Sequence, residues 1–293
     1  MLPDLRGRLG HALFLQVAGP DGPRQRERIH YREGPRWFEA GSPITRVHGD
    51  AAMFVGGLRA LLLQTLHPVA MRAVSEHSGF RGDMWGRLHR TSTFLAVTTF
   101  GTADDAQQAV DAVRRIHERV SGTMPDGAPY AASDPHLLAW VHAAEADSFL
   151  RAHQVYGRRP LDQAGRDQYV AQIAEVGRRL GVLDPPTTEA ELTAVLAAYR
   201  PELAGTPEAR EAVRYVLLRP PLPLAARPGY GALAAAAVGL MPGWTRLPLR
   251  LPWLPVSERT VFRALGTAAT STIRWAMSEP RAERARAENQ RGG

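Results

Sequence analysis

The chain has no cysteine among its 293 residues, and all 36 of its basic residues are arginine, so lysine is absent too. Without thiols there can be no disulfide, thiolate-ligated haem, iron–sulfur cluster, cysteine zinc site or thiol nucleophile. Without a side-chain amine there is no Schiff-base lysine and no lysine of a Walker phosphate loop. Aromatic residues make up only 7%, and alternating β-branched runs of strand type are nearly missing. The longest weakly polar stretch, 229–244, contains Pro242 and four glycines and is too short and interrupted to cross a bilayer. The apolar run 12–18 is broken by Gln16 and no cleavage signature follows it, which is thin for a secretory signal. A cytoplasmic protein without stable membrane insertion is expected. Histidine is absent from one half: all ten lie between His11 and His153.

What is present supports a large core. At 44% hydrophobic and 22% charged, the chain can form one large domain or two of ordinary size. A net charge of +7 brings nucleic acid to mind. The arginines, however, are spread along the chain among acidic residues, with no basic run interleaved with aromatics, so no nucleic-acid partner is expected. The apolar period is helical nearly throughout, which gives an all-α class. Residues 1–49 read as an N-terminal arm and first helix, with the Gly-, Pro- and Arg-rich stretch 20–49 extended. Residues 50–278 read as one domain of about ten helices, and 279–293 as a flexible charged tail.

Local signals place those helices. Asp50 is a good N-cap for a helix carrying Met53, Phe54, Leu58, Leu61, Leu62 and Leu66. Gly56 and Gly57 inside it cost about 1 kcal/mol each relative to alanine, a cost that close approach of a flat ligand or of another helix would justify. His67-Pro68 breaks that helix and opens the next. A helix over 83–100 stops at Gly101, and Thr102 to Asp105 reads as a capping box for its successor. There Ala106, Val110, Val113, His117 and Val120 form one stripe. Ser133-Asp134-Pro135 starts a long helix on which Leu138, His142, Glu145 and Phe149 share a face. Further helices are expected over 163–180, 188–200, 210–218 and 257–277, with a small-residue segment over 230–240.

Two places could carry chemistry. At 100° per residue, Thr91 stands about 40° from Arg87 and Arg90 about 60° on the other side. Two guanidinium groups and a hydroxyl therefore share a face, either as a solvated basic surface or as the polar wall of a pocket. His117, in an apolar stripe, is either a satisfied core histidine or an iron ligand whose second nitrogen needs an outer acceptor. His142 has the same logic, with Glu145 one turn on to orient it. Other schemes fit less well. The lone Glu-x-x-His, Glu27 to His30, lies in the arm, whereas a di-iron bundle needs two such motifs. There is no His-Glu-x-x-His, no phosphate-binding glycine pattern and no Gly-x-Ser-x-Gly elbow.

The ordered set Gln64-Thr-Leu-His-Pro68, Glu76-His-Ser-Gly-Phe80, Arg87-Leu-His-Arg-Thr91, Thr99-Phe-Gly101, Arg115-Ile-His117 and Asp134-Pro-His-Leu-Leu-Ala-Trp-Val-His142 resembles the family once called DUF2236. This family holds the catalytic domain of the fungal oxygenase of mycophenolic acid biosynthesis and of the rubber oxygenases. Arg219-Pro-Pro-Leu-Pro, Arg227-Pro-x-Tyr230 and Leu240-Met-Pro-x-Trp244 extend the likeness, which covers about residues 45–280. The resemblance implies an all-α fold with globin-like packing around a non-covalent haem b. It implies Arg87, Arg90 and Thr91 on the distal side and His117 as the proximal iron ligand, with His142 as its rival and Gly56 and Gly57 leaving room for the cofactor. In the rubber oxygenases a lysine stands where this chain has Arg90, and an arginine, always protonated, makes a poor iron ligand. Their distal glutamate has no secure match here; Glu76 is nearest. The expected activity is oxidation of a largely apolar small molecule with dioxygen or peroxide, with Phe94, Leu95 and Trp140 as wall residues. Self-association as a homo-oligomer is left open. The competing reading is a non-catalytic, ligand-binding or regulatory module without haem.

Overall fold

Capping chemistry sets where the helices begin. The computed structural model describes residues 21–77, 84–220 and 222–277, together with 7, 10 and 19; at 84, 85, 87 and 88 it describes the backbone alone. The spine is α7, Pro135–Tyr156, where Asp134 accepts the His136 backbone N–H and Pro135 occupies the first turn. A missing N–H costs nothing at that position. Before it come α1 (Gly22–Tyr31), α2 (Pro43–His48), α3 (Met53–Gln64), α4 (Pro68–His77), α5 (Met84–Phe100) and α6 (Ala103–His117). After it come α8 (Gln163–Leu180), α9 (Glu189–Ala198), α10 (Pro207–Leu218), α11 (Arg227–Gly239), α12 (Gly243–Leu249) and α13 (Arg263–Met277), the last entered through a π-type turn at Glu258–Phe262. The fold is a single all-α domain with one small hairpin, β1 (Ser121–Thr123) paired antiparallel with β2 (Pro129–Ala131).

Caps bound both α8 and α9. Asp162 caps α8 and Gly181 ends it at φ 104°, a conformation glycine adopts without strain. Thr188 and Glu191 form a reciprocal capping box at α9. At α6 the box is half made: Thr102 accepts from the Asp105 N–H, but the Asp105 carboxylate is taken by the Thr102 hydroxyl, Arg28 and Arg32.

The arm is not extended through 20–49. Residues 22–31 and 43–48 are helical, each with a proline in its first turn. Ile44 and Val47 are wholly buried, with Ile29 and Phe38 nearly so. Burial of these few apolar side chains overrides the Gly- and Pro-rich composition. The next helix starts at Met53, three residues past Asp50, whose carboxylate caps a turn by accepting the Ala52 N–H. The run 12–18 and the tail 279–293 lie outside the described residues.

α7 divides the core into three packed regions. One face meets α3, α4, α10 and α12 around Trp140, Leu62 and Leu66. A second meets α2 and α8 around Phe149, Leu150 and Tyr169. Toward its C-terminus, Ala152 and Tyr156 meet α11 and α13. There Gly266 is packed so closely that a Cβ would lie 2.6 Å from both Ala236 and Tyr156.

Candidate functional site

The α5–α6 hairpin carries the first site. Gly101 and Thr102 turn the chain, and the two helices pack antiparallel. Counted back from the turn, Arg87 is 14 residues away; counted forward, His117 is 15. At 1.5 Å per residue both stand about 22 Å along their helices from the turn. His117 is the last residue of α6 and is half-buried, and its Nδ1 is buried without a hydrogen-bond partner. Burial lowers its pKa, so the ring is neutral near pH 7. Arg90 and Thr91 are exposed, while the Arg87 side chain lies outside the described residues. Val120 falls beyond the helix, because the chain turns into the hairpin after His117.

A polar seam crosses the core beside it. His142 is buried on α7 with Nε2 unpartnered, and a Cβ on Gly177 of α8 would come within 2.8 Å of its ring. Burial, then the Arg178 charge, lowers its pKa to about 4. One turn on, burial pushes the Glu145 carboxyl up to about 7 despite its one hydrogen bond, a 3.4 Å contact from Gln64 Nε2. The buried Tyr169 phenol feels the Glu145 charge and lies 3.4 Å from His48 Nε2; His48 Nδ1 pairs with Thr99 Oγ1 at 2.8 Å. The seam thus runs from Gln64 on α3 through Glu145 on α7 and Tyr169 on α8 to His48 at the end of α2 and Thr99 on α5. His48, Tyr169 and Thr99 escaped the sequence reading as site residues, since no short spacing links them.

The two glycines of α3 have different surroundings. At Gly56 a Cβ would lie 2.9 Å from Phe149 Cδ1 and 3.1 Å from Phe149 Cα, so this glycine lets α3 cross α7. At Gly57 nothing stands within 4 Å. Glu76 is bonded by the Tyr130 hydroxyl and paired with Arg72, which ties α4 to the hairpin.

A family model described as "ER-bound oxygenase mpaB/B'/Rubber oxygenase, catalytic domain" matches residues 45–271. The chain belongs to this oxygenase family. Two uncharacterized proteins, one of Mycobacterium bovis and one of Mycobacterium tuberculosis, are each 35% identical to it over 97 residues. The match covers 33% of this chain and 37% of each relative, so the chain spans little more than a third of the length of the curated relatives it matches. No solved structure matches. Among the described residues, no helix is long and apolar enough to cross a membrane.

Within this oxygenase domain Trp140 stands apart from Phe94 and Leu95. The latter pack toward α2 and α8, whereas Trp140 is fully buried on another face of α7, its ring 6.2 Å from that of His67 and 5.3 Å from that of Tyr199. His67, His136 and Glu202 meet beside it, with one ligand-type atom from each all within 4.8 Å of one another. Their positions in sequence are far apart, and a search for short metal-binding spacings passes over them. A cavity of about 340 Å³ beneath α11 and α12 is lined by Tyr156, Met241, Arg246, Trp253 and Glu258, and neither His117 nor His142 reaches it.

Proposed function

We propose that this chain is a haem b-dependent oxygenase, using dioxygen or peroxide to oxidise a largely apolar small molecule. The supporting observation is His117: a neutral imidazole with a buried, unpartnered nitrogen, in a chain of an oxygenase family. A buried polar atom without a partner costs about 1–3 kcal/mol, and a ligand bond removes that cost. His142 is the rival, but its ring is wedged against the α8 backbone at Gly177, which leaves less room for a flat macrocycle. The donor set fits an iron porphyrin held by imidazole, since no thiolate exists and Arg90 is not a ligand.

The haem would supply the redox activation of the oxygen co-substrate. We assign to Arg87 and Thr91 the part of hydrogen-bond donors to the reacting oxygen, where fixed donors stabilise developing negative charge. Arg90 holds a carboxylate, of the substrate or of a haem propionate. Glu145, with a pKa of about 7, holds or releases a proton at its carboxyl oxygen near neutrality, and Gln64 orients that carboxyl. Gly57 keeps open the space beside α3.

The test is haem reconstitution followed by visible spectroscopy. The wild-type chain is expected to give a Soret band, His117→Ala to lose or shift it strongly, and His142→Ala to keep it. Absence of the band in the wild-type chain, or an unchanged band in both variants, would overturn the proposal.

A further inference from the structure

We propose that His67, His136 and Glu202 form a second metal site, a three-ligand centre for a divalent first-row transition ion with its remaining coordination open to solvent.

The three ligands come from three elements held together by the main chain. His67 closes the turn between α3 and α4, His136 lies in the first turn of α7, and Glu202 ends the 3-10 turn Arg200–Glu202 after α9. The Ala204 N–H donates to the Leu66 carbonyl at 2.8 Å, and the Glu202 N–H to the Tyr199 carbonyl at 2.9 Å. Neither histidine has to move far to meet the carboxylate. His136 Nε2 lies 2.8 Å and His67 Nε2 3.8 Å from Glu202 Oε2. Bonds of about 2.0–2.1 Å in a tetrahedral shell put neighbouring ligand atoms about 3.3 Å apart, between the two distances observed.

An independent observation points to a ligand. His67 is 5% exposed, and neither of its ring nitrogens has a hydrogen-bond partner. A buried imidazole should satisfy at least one nitrogen. The ring is fixed between Trp140 and Tyr199, so the missing partner belongs on the Glu202 side.

Outer contacts prepare His136 in the same sense. The Tyr199 hydroxyl donates to the His136 carbonyl at 2.6 Å, so toward His136 Nδ1, 3.3 Å away, the phenol oxygen can only accept. This directs an Nδ1 hydrogen at the phenol oxygen and leaves Nε2 facing Glu202, the orientation an outer-shell acceptor gives a metal-bound histidine. Nε2 and Glu202 Oε2 are joined by a 2.8 Å hydrogen bond, so a metal ion taking both ligands would displace the shared proton.

Two imidazoles and one carboxylate select zinc or ferrous iron over the all-oxygen shells of calcium and magnesium. Three protein ligands are the pattern of open metal sites, whereas structural zinc sites close with four. The side chains of His136 and Glu202 are 58% and 43% exposed, so solvent reaches the remaining positions. The cluster does not include His117, so this centre does not use the ligand proposed for the haem.

The experiment is equilibrium dialysis of the full chain against Zn2+, Fe2+ under anaerobic conditions, and Mg2+, with bound metal measured by elemental analysis and haem iron counted separately. About one equivalent of Zn2+ or Fe2+ should be retained, and no Mg2+. His136→Ala and Glu202→Gln change exposed side chains and should fold, which circular dichroism checks. Each should lower retention at least tenfold, while His117→Ala retains the metal in full. At a hundredfold excess over the dissociation constant, Zn2+ should raise the melting temperature of the wild-type chain by about 5 °C or more and leave Glu202→Gln unmoved. No stoichiometric Zn2+ or Fe2+, equal retention of Mg2+, undiminished binding in both cluster variants, or loss of binding in His117→Ala would each overturn the assignment.

Discussion

Arg59 shows what a single charged residue does inside this core. It is 2% exposed, and each guanidinium nitrogen has a partner: Nη2 to Asp147 Oδ2 at 2.6 Å, Nη1 to Ser148 Oγ at 2.7 Å and Nε to the Leu240 carbonyl at 3.0 Å. One side chain therefore ties α3 to α7 and to the end of α11. Desolvating two charges offsets much of their attraction, so the pair adds little net stability; breaking it is what costs. Arg59→Met is expected to destabilise the fold by about 3 kcal/mol, since Asp147 then keeps only Arg151, at 3.2 Å and partly exposed. Arg59→Met combined with Asp147→Leu should recover most of that loss in urea titrations. If the double variant is no better than the single, the uncompensated carboxylate is not the cause.

Between elements, the adjacent glycines of α3 separate packing from propensity. Gly56→Ala drives a Cβ to 3.1 Å from the Phe149 Cα, which is backbone and cannot swing aside. The crossing of α3 and α7 has to widen, at about 1–3 kcal/mol. Gly57→Ala meets nothing within 4 Å and gains helix propensity, about 0.5–1 kcal/mol of stabilisation. Opposite shifts in thermal melts are the expected outcome, and a loss at both positions would contradict it. The same level shows why some helices were legible. Asp134-Pro135, Thr188 with Glu191, and Gly181 announce α7, α9 and the end of α8 because caps act over three or four residues. The helices within 20–49 were hidden because Ile29, Phe38, Ile44 and Val47 are too few to set a period; α5 and α8, far along the chain, pack over them. The β-hairpin after His117 is three residues a side and left no pattern. The candidate site divides the same way. His117, His142 and Glu145 could be found from one helix at a time. His48, Tyr169 and Thr99, like His67 and Glu202, meet only once the helices have packed.

For the molecule as a whole, buried ionisable groups set the response to pH. Burial, then the neighbouring His153, lowers the pKa of His48 to about 3. His153 is lowered by burial as well, with Asp50 opposing. Below about pH 6.5 the unfolded chain takes up these protons and the folded one does not. Their contribution is therefore present above about 6.5 and is lost as the pH falls toward 3. Glu145 acts in the other direction. Its folded pKa is about 7 against the usual 4.5, so its contribution is full below 4.5 and is lost as the pH rises through 7. These two, with His142, lowered to about 4, and His117, lowered by burial, outweigh one carboxyl on the acid side, and the Glu145 loss continues above 6.5. Calorimetric melting temperatures should rise from pH 4 to about 6.5 and then dip through pH 7–8. Glu145→Gln should keep the acid limb and lose the dip. A dip of equal depth in that variant would remove Glu145 as its source.

Asp50 receives Arg274 from α13, a partner 224 residues away, at 2.7 Å. Synthesis proceeds at about 5–20 residues per second, so about 10–45 s pass between the emergence of the two residues from the ribosome. From the emergence of Tyr156, about 6–24 s before that of Arg274, Ala152 and Tyr156 of α7 lack the helix that covers them, and the Tyr156 carbonyl lacks the Arg274 donor it later accepts from. The last helix therefore works as a timer. The domain cannot close while it is being made, and its greasy flank stays open to chaperones until the final turn arrives.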